Sequence, residues 1–200
     1  MKLKLWQAGE AVLRRRARAL TPEQIRSDDV QRLIEWMRET VRDAPGVGLA
    51  APQVGVSIRL AVIEDLPEYI EKMPPEEAAE RNRVPIPFHV VINPELVPEG
   101  PETVEFFEGC LSVAGWTALV PRAVSVRVQC LNEKAEPMEI RAQGWYARIL
   151  QHEIDHLNGV LYVDRMRTRS LATIENYMRY LRHATPEELR AALGVPAEDY

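Results

Sequence analysis

Two histidines stand four residues apart in the segment His152-Glu153-Ile154-Asp155-His156. On a helix, side chains at this spacing share one face and lie about 5–6 Å apart, so both imidazoles can bind one metal ion. Glu153 is turned aside by one residue, so we expect it to accept a proton from an attacking water rather than to act as a ligand. Because two of the chain's four histidines stand in this frame, the pattern favours a metal site over two unrelated polar side chains.

A catalytic metal site needs a third protein ligand and one open position. Tyr162 stands where the metzincin pattern would place a third histidine, so that pattern fails. Residue chemistry leaves two candidates open: Glu175, as in a thermolysin-like zinc peptidase, and Cys110, within the segment EGCLS at residues 108–112. A single cysteine is more often a small buried apolar residue. This is our interpretation of Cys130, which alternates with valines.

A helix must position the two histidines. Trp145 and Ile149 precede them at helical spacing, so the metal-binding face of this helix continues into an apolar face. Asn158-Gly159 follows the last histidine and is a typical helix stop. Both imidazoles are therefore expected to point towards the interior.

Strands are predicted ahead of this helix. Alternating and β-branched apolar residues predict five of them, at residues 57–64, 88–93, 103–107, 124–131 and 137–142. Residues 43–55 contain three glycines and two prolines and are interpreted as a loop. This order of elements predicts an α+β fold in which antiparallel strands pack around a central metal-binding helix.

Further helices are predicted towards both ends of the chain. One begins after Thr21-Pro22, with Gln24 completing a capping box. Its apolar face is expected to comprise Val30, Leu33, Ile34, Met37 and Val41. Another helix is predicted at residues 171–182, and a short capped one begins at Thr185. Residues 1–200 are expected to form a single catalytic domain, with a surface insertion at about 66–87 and a helical C-terminal tail from about 168.

The composition argues against several functions. The chain is 46% hydrophobic and 28% charged, with a formal net charge of −5, so direct binding to nucleic acid is not expected. No apolar run approaches the ~20 residues that span a bilayer, and the N-terminal residues lack the apolar core of a signal peptide. Two cysteines are too few for a disulfide framework and fit a reducing compartment. We expect a bacterial cytoplasmic protein, with a processed organellar form left open.

Three segments together resemble the motifs of one enzyme family. Residues 46–53 (GVGLAAPQ) resemble G-x-G-L-A-A-x-Q, residues 108–112 match E-G-C-L-S, and residues 151–156 (QHEIDH) match Q-H-E-x-D-H. They occur in the order found in the peptide deformylase family, whose members hydrolyse the formyl group from the N-terminal formyl-methionine of nascent proteins. On these motifs the chain is identified as a member of that family.

The resemblance implies a ligand set. Cys110, His152 and His156 would bind one divalent metal ion, with water in the fourth position. Such donors accept Fe(II), expected in the cell, and Zn(II), Ni(II) or Co(II) in a preparation. The peptidase alternative with Glu175 would leave two of the three motifs without a role. An inactive homologue that only binds is disfavoured because every motif residue needed for chemistry is in place.

The resemblance also implies a mechanism and a substrate. Glu153 would carry the proton from water to the departing amine, while the side-chain amide of Gln53 and the backbone N–H of Leu111 would stabilise the oxyanion. Formyl-methionyl peptides and nascent chains would bind in an extended form, with transient ribosome association and no membrane. The implied substrate contacts are Val47, Gly48, Leu49 and Gly109.

Overall fold

A computed structural model describes residues 1–44 and 46–194. Its α-helices are α1 (Pro22–Ile25), α2 (Asp28–Asp43), α3 (Pro67–Glu71), α4 (Pro75–Glu80), α5 (Gly144–Leu157), α6 (Ile174–Asn176) and α7 (Pro186–Leu193). Its strands are β1 (Gly48–Ala50), β2 (Leu60–Asp65), β3 (Ile86–Pro98), β4 (Thr103–Cys110), β5 (Val113–Ala123), β6 (Ser125–Leu131), β7 (Pro137–Gln143) and β8 (Ala172–Thr173). Across the described ranges, no helix is both long and apolar enough to cross a membrane.

The strands form two antiparallel sheets. One has five strands in the order β1-β2-β3-β6-β7, and the other has three in the order β4-β5-β8. Every pairing within them is antiparallel. The five predicted strands correspond to β2, β3, β4, β6 and β7, and the predicted α+β fold with antiparallel strands is confirmed.

Helix α5 lies at the centre of this arrangement and contacts strands of both sheets. Its apolar residues Ile149, Leu150 and Ile154 are buried in one cluster with Val126 and Val128 of β6. Because this contact fixes the rotation of the helix, it also fixes the direction in which the histidines point. Cys130 lies in the same cluster and is buried, as its alternation with valines predicted.

The first long helix is divided in two. Thr21 and Gln24 form the predicted capping box of α1, but this helix ends after one turn and the side chain of Ser27 caps α2. On α2, Ile34, Met37 and Val41 are buried. Val30 and Leu33 of the predicted apolar face are partly buried against the same cluster.

Three regions differ from the prediction. The glycine-rich segment 43–55 contains β1 and a 3₁₀ turn, Ala51–Val54, in place of a continuous loop. Strand β5 was not predicted, because residues 117–120 are buried in succession and so show no alternation. The helix predicted at 171–182 begins only at Ile174, after β8, and continues as a π-helical turn over Tyr177–Leu181.

The insertion and the tail contact one another. Helices α3 and α4 lie within residues 66–87. The guanidinium of Arg182 donates to a carboxylate oxygen of Glu77 in α4 at 3.2 Å. The tail also packs on β4, because the rings of Tyr177 and Phe107 lie 4.6 Å apart between centroids. Pro45 of the predicted loop and residues 195–200 of the predicted tail lie outside the described residues.

Candidate metal centre and active site

Three donor side chains converge beside α5. His152 and His156 lie on one face of this helix, with ring centroids 5.0 Å apart. Cys110, the last residue of β4, approaches them so that its Sγ lies 3.2 Å from Nε2 of His156. One donor atom from each of the three residues lies within 4.8 Å of the other two. The fold therefore brings together the three residues that the resemblance implied as ligands.

The β4–β5 hairpin places Cys110. The register shifts between Gly109 and Cys110, and such an irregularity redirects a side chain at the end of a strand. Leu111 and Ser112 form the turn that follows. The backbone N–H of Ser112 donates back to Cys110 Sγ at 3.4 Å, so the turn holds the sulfur on the side that faces the helix.

A buried carboxylate orients the first histidine. Glu108 Oε2 lies 2.9 Å from Nδ1 of His152, so Nδ1 carries the proton and Nε2 is left free to bind a metal. The same carboxylate accepts two hydrogen bonds from Arg122 at 2.9 Å and one from Arg148 at 2.7 Å. Arg122 also donates to Asp155 at 2.5 Å. The result is a buried ionic network directly behind the candidate ligands.

The electrostatics of this network suit a bound cation. Burial raises the pKa of Glu108, but hydrogen bonds from Arg122 and His152 outweigh it and hold this pKa well below its usual range. Burial lowers the pKa of His152, yet hydrogen bonds to Cys110 and Glu108 raise it well above the usual value. Burial holds the pKa of His156 well below that value. The site thus favours positive charge beside His152 and a neutral imidazole at His156, and a metal cation satisfies both.

Gln53 is fixed beside the sulfur. It lies in the 3₁₀ turn after β1 and is only 2% exposed. Its Oε1 accepts a hydrogen bond from Ala50 N at 2.8 Å. The amide nitrogen must therefore point the other way, where it donates to Ser112 Oγ at 3.3 Å and to Cys110 Sγ at 3.6 Å. A hydrogen-bond donor is thus already oriented towards the donor cluster.

Glu153 lies against a glycine. Its side chain is buried, and burial raises its pKa to about 7. A Cβ built on Gly48 would lie 2.7 Å from Cδ and 2.8 Å from Cγ of Glu153. Only glycine therefore leaves room for this carboxylate next to β1, which explains the second glycine of GVGLAAPQ more directly than a turn does.

A cavity of about 670 Å³ opens onto these groups. The glycine-rich loop, the hairpin and α5 supply its walls, including Val47, Gly48, Gly109, Leu111 and Ile149. Leu49, one of the implied substrate contacts, does not line this cavity. Its side chain is fully buried in the core below β1.

Glu175, the alternative third ligand, is an exposed residue of α6. It is not part of the group formed by Cys110, His152 and His156. The thermolysin-like arrangement is therefore not supported, because its carboxylate does not join the histidines.

Comparison with known proteins decides the family. The model of the polypeptide deformylase family matches residues 2–171, which is most of the chain.

The chain belongs to the peptide deformylase family.

Relatives in bacteria and in plants support the assignment to the peptide deformylase family. The chain is 46% identical over 192 residues to peptide deformylase 3 of Streptomyces avermitilis, covering 96% of this chain and 84% of that protein. It is 46% identical over 170 residues to the chloroplastic peptide deformylase 1A of Solanum lycopersicum, covering 85% of this chain and 61% of that protein. A Met-Ala-Ser-bound crystal structure of a class I type b peptide deformylase from Acinetobacter baumannii has a TM-score of 0.73 and 33% identity, covering 83% of this chain and 99% of that one.

Membership of the peptide deformylase family confirms the predicted family and, with it, the enzyme class of metal-dependent hydrolases. Sequence reasoning missed the ionic network around Glu108. Glu108 and Asp155 stand inside the motifs but were given no role, and Arg122 and Arg148 lie outside them. One signal was available: Arg148 precedes His152 by four residues on the face predicted to be buried, and a buried arginine needs a buried acid.

Proposed function

We propose that this chain hydrolyses the formyl group from the N-terminal formyl-methionine of peptides and nascent chains, releasing formate and a free amine. The observation that carries the proposal is the convergence of a Cys/His/His donor set, a buried glutamate and an oriented glutamine on one cavity. Each of these groups corresponds to one requirement of formamide hydrolysis. We further propose that residues 1–200 act as one catalytic domain, with the insertion at about 66–87 and the tail from about 168 as peripheral additions.

Cys110, His152 and His156 would hold one divalent ion. A thiolate with two imidazoles is a donor set that first-row metals accept, and Fe(II) is our proposal for the ion in the cell, with Zn(II), Ni(II) or Co(II) as substitutes in a preparation. When bound, the ion supplies Lewis-acid activation of water and of the formyl oxygen. The tautomer of His152 set by Glu108 leaves Nε2 free for this role.

Glu153 would carry the proton. In hydrolysis a water proton must be removed as oxygen attacks the formyl carbon, and a proton must reach the amine nitrogen as the C–N bond breaks. One carboxylate can serve both steps in turn, because it returns the proton it has accepted. A pKa raised to about 7 by burial lets Glu153 accept and release a proton near neutral pH.

Gln53 and Leu111 would stabilise the oxyanion. The amide nitrogen of Gln53 is aimed at the donor cluster by the bond from Ala50 N to its oxygen. Leu111 lines the cavity directly after Cys110, and none of the described residues accepts a hydrogen bond from its backbone N–H. A donor without a protein partner, beside the reacting atoms, suits charge that develops only during the reaction.

The open edge of β1 would bind the peptide. Glu64 N donates to the carbonyl of Val47 at 3.0 Å, and the direction of hydrogen bonding alternates along an antiparallel pair. The backbone N–H and C=O of Leu49 therefore also face β2. Those of Gly48 face away from β2, towards the open edge, because β1 is an edge strand of its sheet. Val47, Gly48 and Gly109 would contact an extended peptide, as an added strand. Leu49 would contribute by anchoring β1 in the core.

The methionine side chain would enter the apolar part of the cavity, where Ile149 is placed. A Met-Ala-Ser peptide is bound in the Acinetobacter baumannii relative, which supports a formyl-methionyl peptide as the substrate here. Transient association with the ribosome, a cytoplasmic location and the absence of direct contact with nucleic acid or membrane remain our predictions for the protein in the cell.

Formate release tests the proposed function. We expect the protein, purified anaerobically with Fe(II) or Ni(II), to release formate from formyl-Met-Ala-Ser in equal amount to new amine. Glu175→Gln is the control that addresses the peptidase arrangement, and its turnover should stay within about two-fold of wild type, as is usual for an exposed position. No formate from a metal-replete protein would overturn the proposal.

Gly48→Ala should separate the placement of Glu153 from metal binding. The added methyl group would occupy the space of the Glu153 side chain, so the carboxylate must leave its position beside the donor cluster. We expect kcat to fall about 10²-fold or more, within the range for loss of general base catalysis. Metal content, measured by elemental analysis, should not change, because no ligand is touched. Wild-type turnover in this variant would contradict the assigned position of the base.

A further inference from the structure

The N-terminal segment, residues 5–8, runs beside the two loops that carry the proposed oxyanion donors. The backbone N–H of Trp6 donates to the carbonyl of Gln53 at 2.8 Å, and that of Ala8 donates to the carbonyl of Ser112 at 2.8 Å. This short segment therefore bonds to Gln53, which supplies one oxyanion donor, and to the turn that contains Leu111, which supplies the other. Residues 1–10 are outside all three sequence motifs, so nothing in the sequence pointed to this arrangement.

The side chain of Gln7, between these two contacts, holds the hairpin turn at both ends. Its amide nitrogen donates to the carbonyl of Leu111 at 2.9 Å. Its amide oxygen accepts from the backbone N–H of Ala114 at 3.3 Å. A carboxamide donates through its nitrogen and accepts through its oxygen, and here the two ends bridge Leu111 and Ala114 across the turn.

The hairpin turn does not have the backbone conformation that two-residue turns favour. Two-residue hairpin turns favour types I′ and II′, which require a positive φ. Among the described residues, the positive φ angles do not include Leu111 or Ser112, so the turn adopts neither of the favoured forms. The hydrogen bonds from Gln7 and Ala8 therefore help to hold the turn in its observed conformation.

Holding the carbonyl of Leu111 also orients its N–H. Peptide groups are planar, so only φ and ψ of Leu111 separate the two groups. The peptide group that contains the Leu111 carbonyl is also held through its nitrogen, since Ser112 N donates to Cys110 Sγ at 3.4 Å. The carbonyl of the following peptide group, Ser112 O, accepts from Ala8 N. With the carbonyl of Leu111 bonded to Gln7, its N–H keeps one direction relative to the sulfur.

We infer that Gln7 is a positioning residue for the oxyanion donor of Leu111. The inference rests on the proposed function, because it assigns Gln7 a part in the same reaction. Gln7 is neither a proposed metal ligand nor the proposed proton carrier. Its influence is on the geometry of a donor that matters only when charge develops on the formyl oxygen.

The test replaces Gln7 by methionine, which keeps the length of the side chain and removes both hydrogen bonds. Loss of an entire oxyanion donor lowers kcat by about 10²–10³-fold, so a misdirected donor should lower it by roughly 10-fold. KM for formyl-Met-Ala-Ser and the Kd for the product Met-Ala-Ser should stay within about two-fold, because the product carries no oxyanion. Glu10→Gln is the matched control: Glu10 is an exposed residue two positions beyond this segment, and its side chain makes no capping bond.

Hydrogen–deuterium exchange supplies a readout that does not depend on turnover. In Gln7→Met, peptides that cover residues 108–118 should exchange faster than in wild type and in Glu10→Gln, with unchanged metal content and melting temperature. A kcat equal to that of wild type would overturn this inference alone. A kcat that falls together with metal content and melting temperature would overturn it in favour of a general structural role. An inactive but metal-replete wild type would instead overturn the proposed function.

Discussion

Glu153→Gln will lower kcat for formate release by about 10³–10⁴-fold, at the upper end of the range for general acid–base catalysis. The upper end is expected because one carboxylate would serve in both proton transfers, and the amide that replaces it can serve in neither. Gln has nearly the same shape as Glu, so the contact with Gly48 and the packing of α5 are retained. KM should change by no more than about three-fold, since the loss is confined to the transition state.

Metal content and melting temperature distinguish the loss of a proton carrier from loss of the metal ion or of the fold. Glu153 is not one of the clustered donors, so the variant should carry as much metal as wild type. Its Oε2 is buried and has no hydrogen-bond partner in the described part of the chain. Removing a charge from that position should leave the melting temperature equal or higher, because an unpaired buried carboxylate is costly.

Glu139→Gln, the same change at an exposed residue of β7, provides the control. Turnover of Glu153→Gln within about ten-fold of Glu139→Gln would exclude Glu153 as the proton carrier.

Helix α5 and its two histidines could be predicted from sequence because the patterns that indicate them are local. Histidines four residues apart and a continuous apolar face are properties of one helix and do not depend on the rest of the fold. Glu153 follows from the same frame. Cys110 could not be assigned in this way, because residue chemistry alone left Glu175 as an equally possible third ligand. The motif around Cys110 favoured the cysteine, and the fold then showed its sulfur beside the histidines.

The features that were missed depend on contacts between distant segments. Strand β5 shows no alternation where it is covered on both faces, and it contains Pro121, which argues against a strand on local grounds. Arg148 reaches Glu108 across forty positions of sequence, and Gln7 reaches Leu111 across more than a hundred. A local pattern can mark one member of such a pair, as the helical spacing marks Arg148, but it does not identify the partner. The residues that orient a site are therefore harder to predict than those that perform its chemistry.

Cys110→Ala will empty the metal site. Binding of a structural metal ion by four ligands contributes about 10–16 kcal/mol, or roughly 2.5–4 kcal/mol per ligand, so removing the thiolate should weaken binding by about 10²–10³-fold. The protein should lose its metal during purification and release no measurable formate at submicromolar added metal. The buried network of Glu108, Arg122 and Arg148 does not involve the sulfur, so the fold should persist in the circular dichroism spectrum.

Cys130→Ala separates the loss of a ligand from the loss of a thiol. Cys130 is buried in the sheet core, and burial raises its pKa to about 11, so it remains a neutral thiol at physiological pH. Its replacement should leave metal content and turnover at wild-type levels, with only the modest destabilisation expected of a small core truncation. If instead Cys110→Ala retained one metal ion per chain with wild-type affinity, the two histidines would have to recruit another ligand. Glu175 could fill that role only if the tail moved to bring its exposed carboxylate to the cavity. Metal analysis of Cys110→Ala beside Cys130→Ala therefore decides whether the hairpin that carries Cys110 completes the site or only borders it.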